Sequence, residues 1–512
     1  MDRRPTIPLN MIFWNYLSRV ILIMFGIISD FLDIFKNTKF DGKEVDRESY
    51  TPLYNKYHAF YHRNMYRRIC DMWQFTISSL PASTTTVLEK QFDSHNINCK
   101  IFLTKCGNYF NRFTGNRLDV INLGSYNYLG YATNEGPITD SVEQIIKQLG
   151  VGISSTANEI GRQQMYSELE CLVAKYLGVE DSIVYGMGFA TNSGSIPALM
   201  GKGCLIISDE QNHASLILGC RLSGAVIKVF KHNDMDDLER IVRNSIIEGQ
   251  PKTRREWRKI IIIVEGIYSM EGTIVSLPRI LQIKKKYKTY LYLDEAHSIG
   301  ALGSRAKGVC DYYGLDPKDV DILMGTFTKS FGASGGYIGG NKRLIDYLRQ
   351  KSADFYYANP MSPPVMRQIY SVINELMQTN DSQSNASQRV QRLHRNTTYL
   401  RQKLKDLGFH VDGHTDSPVI ILLVYLESPL KYLMRRLFEC GIGVVGVSFP
   451  VTTLLGAKAR ICMSASHSLQ TLHYIIDCLD RIGTDLHINM VSEQICSDAS
   501  VGRIEWSVGR GM

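Results

Sequence analysis

An α/β fold with a mainly parallel sheet, followed by a smaller C-terminal α/β domain, is what the pattern of this 512-residue chain predicts. Short apolar runs alternate with helix-period segments between about 165 and 325. Glycine-rich or polar turns close those runs. The residues best suited to chemistry stand just past the ends of the runs, where open parallel sheets bind ligands.

Taken in order, the chain opens on an unusual segment, 1–35. From Pro5 to Ser29 its only charge is Arg19, and Val20–Ile28 is strongly apolar. A membrane span needs about 20 apolar residues, a length reached here only by tolerating Asn10, Asn15 and Arg19. The segment reads as a membrane anchor, either a single span or a helix lying in the interface, with a buried soluble helix as the weaker reading. Asp30 and Asp33 argue against a transit peptide. Residues 36–125 read as a helical connector and N-terminal arm, rich in aromatics between Tyr50 and Trp73.

Strands are expected at 182–185, 204–208, 225–230, 260–265, 289–294 and 320–325. Helices are expected at 166–177, 190–200, 213–223, 234–246 and 277–287. These place a large ligand-binding domain over 126–364. Beyond Ser362-Pro-Pro364 a long polar helix is expected over 366–406, interrupted by the low-complexity segment 378–388. Alternation resumes at Val419–Val424, giving a small domain over 365–485. The tail, 486–512, carries no interpretable signal.

Composition narrows the function classes. Apolar content is 44% and charged content 21%, an ordinary globular balance. A net charge of +8 suits an anionic substrate, yet no basic array with interleaved aromatics argues for nucleic acid. Eleven cysteines without a C-x-x-C pair suggest neither a metal site nor a disulfide framework, and favour a reducing compartment.

Two stretches carry the chemistry. In Gly325-Thr-Phe-Thr-Lys-Ser-Phe-Gly332, Lys329 lies past a strand end among hydroxyls, with further glycines to Gly340. A P-loop is excluded, because its lysine directly follows a glycine and opens a helix. Thirty-five residues earlier, Thr289-Tyr-Leu-Tyr-Leu-Asp294 is an apolar strand ending in an acid, with His297 three residues on. A lysine amine for an aldehyde and a carboxylate for a pyridine nitrogen are what pyridoxal phosphate (PLP) requires. Tyr185-Gly-Met-Gly-Phe-Ala-Thr-Asn192 is a strand, a glycine turn and a helix start, suited to a phosphate. Gly188 and Phe189 are the candidate cup, with Thr326 and Thr328 adding hydroxyl donors.

These motifs, with Val264-Glu-Gly-Ile-Tyr-Ser-Met-Glu-Gly272 and Tyr292-Leu-Asp-Glu-Ala-His-Ser-Ile-Gly300, resemble the α-oxoamine synthases, PLP enzymes of fold type I (aspartate-aminotransferase-like). Within them the chain is most similar to the catalytic subunits of serine palmitoyltransferases, over roughly residues 50–485. The resemblance implies that His213 stacks on the pyridine, that His297 faces its 3′-oxygen, and that Glu265 and Ser269 line the same edge. It also implies that Arg460 holds the substrate carboxylate and that Tyr126 and Asn127 lie beside the amino acid. The implied catalytic set is Lys329, His213, Asp294 and His297, with no metal.

The implied reaction condenses L-serine with a long-chain acyl-CoA, releasing CoA and CO2. The family further implies a heterodimer with a non-catalytic first subunit, attached to the endoplasmic reticulum membrane with the catalytic domain in the cytosol. A relative using glycine and a short acyl-CoA is the alternative enzyme reading. A non-catalytic scaffold is the alternative from another class, and the presence of Lys329 in its full setting weighs against it.

Overall fold

The computed structural model describes residues 9–35, 60, 64, 75–90, 113–449 and 451–488. The expected connector over 36–80 and the tail after 486 therefore lie largely outside the described residues. Helix α1 (Leu9–Phe35) comes first, then strands β1 (Thr84–Lys90) and β2 (Phe113–Asn122), paired antiparallel with Val87 opposite Leu118.

The large domain is built on β3 (Asp181–Tyr185), β4 (Leu205–Asp209), β5 (Val226–Phe230), β6 (Ile260–Glu265), β7 (Tyr290–Asp294), β8 (Ile322–Thr326) and β9 (Gly336–Gly340). Their order is β3-β9-β8-β7-β6-β4-β5. The five strands from β8 to β5 run parallel, while β9 is antiparallel to both its neighbours. Helices cover both faces, so β6 reads Ile-Ile-Ile-Ile-Val without alternation, and Ile261 to Val264 are all buried. Each such side chain contributes about 1.5–3 kcal/mol by leaving water.

Six strands stand within two residues of their expected bounds; β9 was not expected. Its sequence, Gly336-Tyr-Ile-Gly-Gly340, looks like a turn. The glycines are there because neighbouring backbones come close. A Cβ on Gly336 would lie 2.8 Å from the Gly325 carbonyl, and one on Gly340 would lie 2.7 Å from that of Asp321.

The helix expected over 366–406 with an interruption at 378–388 is two helices, Pro363–Leu376 and Asn385–Asp406. Ser384 caps the second by accepting from the Ser387 N–H, a role serine takes more readily than a helix interior. The first helix lies against the large domain, where Gln368 donates to the carbonyls of Tyr131 and Phe331.

The C-terminal strands are β10 (Val411–Asp412), β11 (Val419–Tyr425), β12 (Ile442–Gly443), β13 (Val445–Val447) and β14 (Ala457–Cys462). Four form an antiparallel sheet in the order β10-β11-β14-β13. The fifth, β12, pairs parallel with β2 and ties the N-terminal arm to this domain.

No helix among the described residues is long and apolar enough to cross a membrane. Helix α1 is instead amphipathic in an inverted sense. Asn15, Arg19, Gly26 and Asp30 lie along its inward stripe, whereas Phe13, Trp14, Ile21, Met24, Ile27 and Ile28 are exposed.

Candidate active site

The site forms where β4, β6, β7 and β8 end together. Parallel register sets Glu265 opposite Asp294, so two acids lie side by side at the sheet edge. Asp294 is buried and held from two sides. Asn192 Nδ2 donates to its Oδ2 at 2.8 Å, and the Ala296 N–H donates to its Oδ1 at 2.9 Å. Asn192 is itself oriented, donating to Ser215 Oγ at 2.9 Å and accepting from the Tyr292 hydroxyl at 2.7 Å. Glu265 accepts from the His213 N–H, and burial beside the Asp294 carboxylate pushes its carboxyl well above the usual range.

Lys329 sits in the turn between β8 and β9. Phe327 and Phe331, both fully buried, root that turn, and the Phe327 N–H closes it on the Gly335 carbonyl at 3.0 Å. Lys329 Nζ lies 5.5 Å from the centre of the Tyr126 ring, and the Arg460 guanidinium stands 4.8 Å from the same ring. Burial lowers the Lys329 ammonium to about 8, against the opposing pull of Asp294 and Glu265.

A cradle for an anion opens beside it. Helix Gly188–Leu199 begins with no side-chain cap, leaving its first N–H groups for another acceptor. Thr326 and Thr328 bring their hydroxyls to 2.9 Å of each other. A methyl group on Gly188 would lie 2.5 Å from Thr326 Oγ1, so only glycine lets this backbone approach the hydroxyl pair. Phe189 follows, edge-on to His213 at 6.1 Å between ring centres.

The two histidines differ in burial and in partners. His213 caps helix Ala214–Ser223, with Nδ1 2.8 Å from Ser215 Oγ and also accepting from the Ser215 N–H. Burial lowers its pKa, with Asp294 opposing. The capping and ligand-facing roles are thus compatible, since capping occupies only Nδ1. His297 is more deeply buried, which pushes it well below the usual histidine range, and its Nδ1 is 2.8 Å from the Tyr128 hydroxyl. Burial keeps Tyr128 protonated, so the pair is a neutral hydrogen bond that fixes the orientation of the His297 ring. Glu295 anchors the turn carrying His297 by accepting from the Val309 N–H and the Ser298 hydroxyl.

The expected substrate residues separate. Arg460, on β14, is buried with its Nε lacking a partner, and its Nη1 lies 3.8 Å from Met270 Sδ. Ser269 precedes Met270 in the 266–275 loop, which Lys458 of β14 holds through Glu271 at 3.2 Å. Tyr126 joins the cluster, 5.1 Å edge-on from His297. The Asn127 side chain is occupied by backbone, donating to the Pro81 carbonyl at 3.1 Å and accepting from the Ala132 N–H at 3.3 Å. It shapes the loop that presents Tyr126. Neither Asn192 nor Tyr128 is among the site residues expected from the sequence, although Asn192 falls inside the 185–192 motif. An asparagine four residues past Gly188, on the buried side of a helix, was the available signal for the first.

The donor set fits PLP. Lys329 offers a lowered amine, Asp294 an oriented carboxylate, and the Gly188–Thr326–Thr328 cradle takes an anion.

Comparison with known proteins agrees. Residues 118–479 match the aminotransferase class I and II family. Serine palmitoyltransferase 3 of Homo sapiens is 46% identical over 484 residues, 94% of this chain and 85% of that protein. Serine palmitoyltransferase 2 of Saccharomyces cerevisiae is 40% identical, covering 96% of this chain and 85% of that protein. Among solved structures, the Sphingomonas wittichii serine palmitoyltransferase superposes with a TM-score of 0.68 at 28% identity, over 74% of this chain and 90% of that chain. A high-resolution structure of SPT with PLP superposes with a TM-score of 0.67 at 26% identity, over 73% of this chain and 90% of that chain. With relatives of this identity aligned along nearly its whole length, the chain belongs to the aminotransferase class I and II family and, within it, to the serine palmitoyltransferases.

Proposed function

We infer that this protein is a PLP-dependent acyltransferase that condenses L-serine with palmitoyl-CoA or a similar long acyl-CoA. The products are 3-ketosphinganine, CoA and CO2, as in the first step of sphingolipid synthesis. The observation that carries the reading is the convergence of Lys329, Asp294, both histidines and the hydroxyl cradle at one sheet edge, in a chain 46% identical to a serine palmitoyltransferase.

When bound, PLP supplies the electron sink that stabilises negative charge at the serine Cα. The protein's residues do the rest. Asp294, fixed by Asn192 and Ala296, keeps a carboxylate where a pyridinium would need it. Lys329, with its ammonium lowered to about 8, takes the Cα proton as general base. His213 and His297, held neutral by burial, orient substrate and cofactor oxygens by hydrogen bonding rather than by charge. Arg460 receives the serine carboxylate with its fork of donors. The new bond joins the serine Cα to the acyl carbonyl carbon. The C–S bond of the thioester breaks, CoA leaves as its thiol, and the carboxylate departs as CO2. A proton returned to the same carbon completes the product.

Two further parts of the reading concern setting. Helix α1 lies in a membrane interface, apolar face outward, which its inverted pattern supports, and the endoplasmic reticulum with a cytosolic catalytic domain is the location in keeping with it. The chain works in a heterodimer with a lysine-less first subunit. Exposed Tyr357 and Ile160, 76% and 94% accessible, leave apolar surface for such a partner.

The test is turnover of labelled serine with an acyl-CoA series by the purified chain, alone and co-expressed with a first-subunit homologue. Release of CoA and 3-ketosphinganine by the pair, and little by the chain alone, is the expected result. Full serine-specific turnover by a homodimer would refute the heterodimer. Turnover of glycine with a short acyl-CoA instead would overturn the substrate assignment.

A further inference from the structure

Behind the residues that face the ligand, the buried acid Asp209 gathers three remote segments. It closes β4 and takes the Gln211 N–H on Oδ1 at 2.9 Å, within the turn that leads to His213. Its Oδ2 takes the Asn233 N–H at 3.0 Å, from the turn after β5. His232 Nδ1 lies 2.9 Å from the same Oδ1, and His232 Nε2 lies 2.8 Å from Thr273 Oγ1. A carboxylate only accepts, so the ring is fixed with Nδ1–H toward Asp209 and Nε2 toward Thr273. Tyr268, fully buried, stands edge-on to that ring at 4.4 Å and takes the Glu265 N–H on its hydroxyl at 3.3 Å. Asn233 grips the chain just beyond Thr273, donating to the Ile274 carbonyl at 3.0 Å and accepting from the Ser276 N–H at 3.1 Å.

Thr273 belongs to the 266–275 loop, whose far side meets the C-terminal domain. There Glu271 pairs with Lys458 at 3.2 Å, the His414 N–H donates to the Gly272 carbonyl at 2.8 Å, and Met270 Sδ is 3.8 Å from Arg460 Nη1. Arg460 Nε has no partner, so the guanidinium leans on Met270 and on the Tyr126 ring for its placement. We propose that His232 and Thr273 are positioning residues for the serine carboxylate. Through their bond, the sheet edge that carries Asp209 and His213 sets the 266–275 loop, and the loop sets Arg460 through Met270. A histidine that merely filled space here would need one polar partner at most. This one joins segments 209 and 273 with both ring nitrogens, and the hydroxyl it meets stands three residues from Met270. Asp294 is fixed by other bonds, from Asn192 and Ala296, and does not depend on this one.

The inference rests on the reading of serine as substrate with Arg460 receiving its carboxylate, and the experiment keeps the two apart. Full-length Thr273→Val, Thr273→Ser and His232→Asn chains, each co-expressed with the first subunit, are assayed with serine and palmitoyl-CoA. Asparagine keeps a donor for Asp209 but is too short to reach Thr273. Thr273→Val and His232→Asn should each raise the KM for serine about tenfold, the scale of one hydrogen bond lost from a shared network. The kcat, the KM for palmitoyl-CoA and the absorbance of bound cofactor should stay near those of the unmodified complex. Thr273→Ser keeps the hydroxyl and should behave as the unmodified chain, and the double variant should be no worse than either single one. Deuterium exchange at the Gly272 and Val275 amides, which close the loop on Tyr268 and Gly266, should quicken in Thr273→Val. An unchanged serine KM, additive effects, equal damage by Thr273→Ser, or unchanged exchange would overturn the proposal. So would a serine KM that rises together with that for palmitoyl-CoA and with a lowered denaturation midpoint, since that is general loosening of the fold. Absence of serine turnover by the unmodified complex would instead refute the function, and exchange in the loop would then decide alone whether His232 holds it.

Discussion

Glu170 and Glu265 are buried acids of the same large domain, kept in opposite company. Glu170, on helix Gln164–Leu177, meets Arg162 at 2.7 Å and Arg349 at 3.2 Å, and accepts from the Val184 N–H at 3.3 Å. Burial still raises its pKa, but two guanidinium groups pull the other way. Glu265 has the His213 N–H, and burial and the Asp294 carboxylate push its carboxyl up more than Lys329 pulls it down. At the β3 side of the sheet the polar groups answer one another. At the carboxyl ends of β6 to β8 two acids and a lysine converge instead on the ligand-binding edge. The first region compensates its buried charge, and the second keeps like charges together at a cost that a functional site explains.

The contrast can be broken most severely at Lys329. Lys329→Ala should abolish condensation, a loss of at least roughly 10⁴-fold where nucleophile and base are removed together. The cofactor's absorbance band should vanish while the circular dichroism of the fold is kept. Asp294→Asn comes next. It preserves shape but removes a charge pair worth about 4 kcal/mol at an effective dielectric of about 20, roughly a thousandfold. Exchange of the serine Cα proton with solvent should fall by that order in NMR, with some cofactor still bound.

The structural region should respond in the reverse way. Arg349→Ala leaves Glu170 with Arg162 alone and Asp181 with Lys342 at 3.8 Å, and losing charge-assisted hydrogen bonds of this kind costs about 1.5–3 kcal/mol. Chemical denaturation should report that loss, while kcat per folded molecule stays near normal. A drop in kcat without a drop in stability would dissolve the distinction.

The smallest effect expected is a pH dependence. With its ammonium lowered to about 8, Lys329 in the cofactor-free protein should take up PLP about tenfold faster per pH unit until pH nears 8, then level off. Stability carries the opposite side of the same shift. The unfolded lysine binds its proton up to about 10.4, so between roughly 8 and 10.4 the unfolded chain holds more protons and stability rises with pH. Stopped-flow absorbance and denaturation across that range measure the two.

Much of this was legible in the chain. Apolar runs ending in Asp294, Gly325 and Ser208 identified the strands, because burial on both faces forces continuous rather than alternating hydrophobicity. Lys329 and Asp294 were readable for the same reason, since a sheet's carboxyl edge is where such groups can meet a ligand. What the tertiary structure alone decided depends on distance between remote segments. The strand Gly336–Gly340 was hidden because its glycines serve neighbouring backbones rather than its own turn. That the Asn127 side chain ties its loop to Pro81 and Ala132 was likewise invisible in the sequence. The lowered Lys329 amine, the pairing of Glu265 with Asp294, and the grip of His232 on the 266–275 loop all follow from burial and register. A local pattern can place a residue on a face, but only the folded chain sets which charge stands opposite it and how much water lies between.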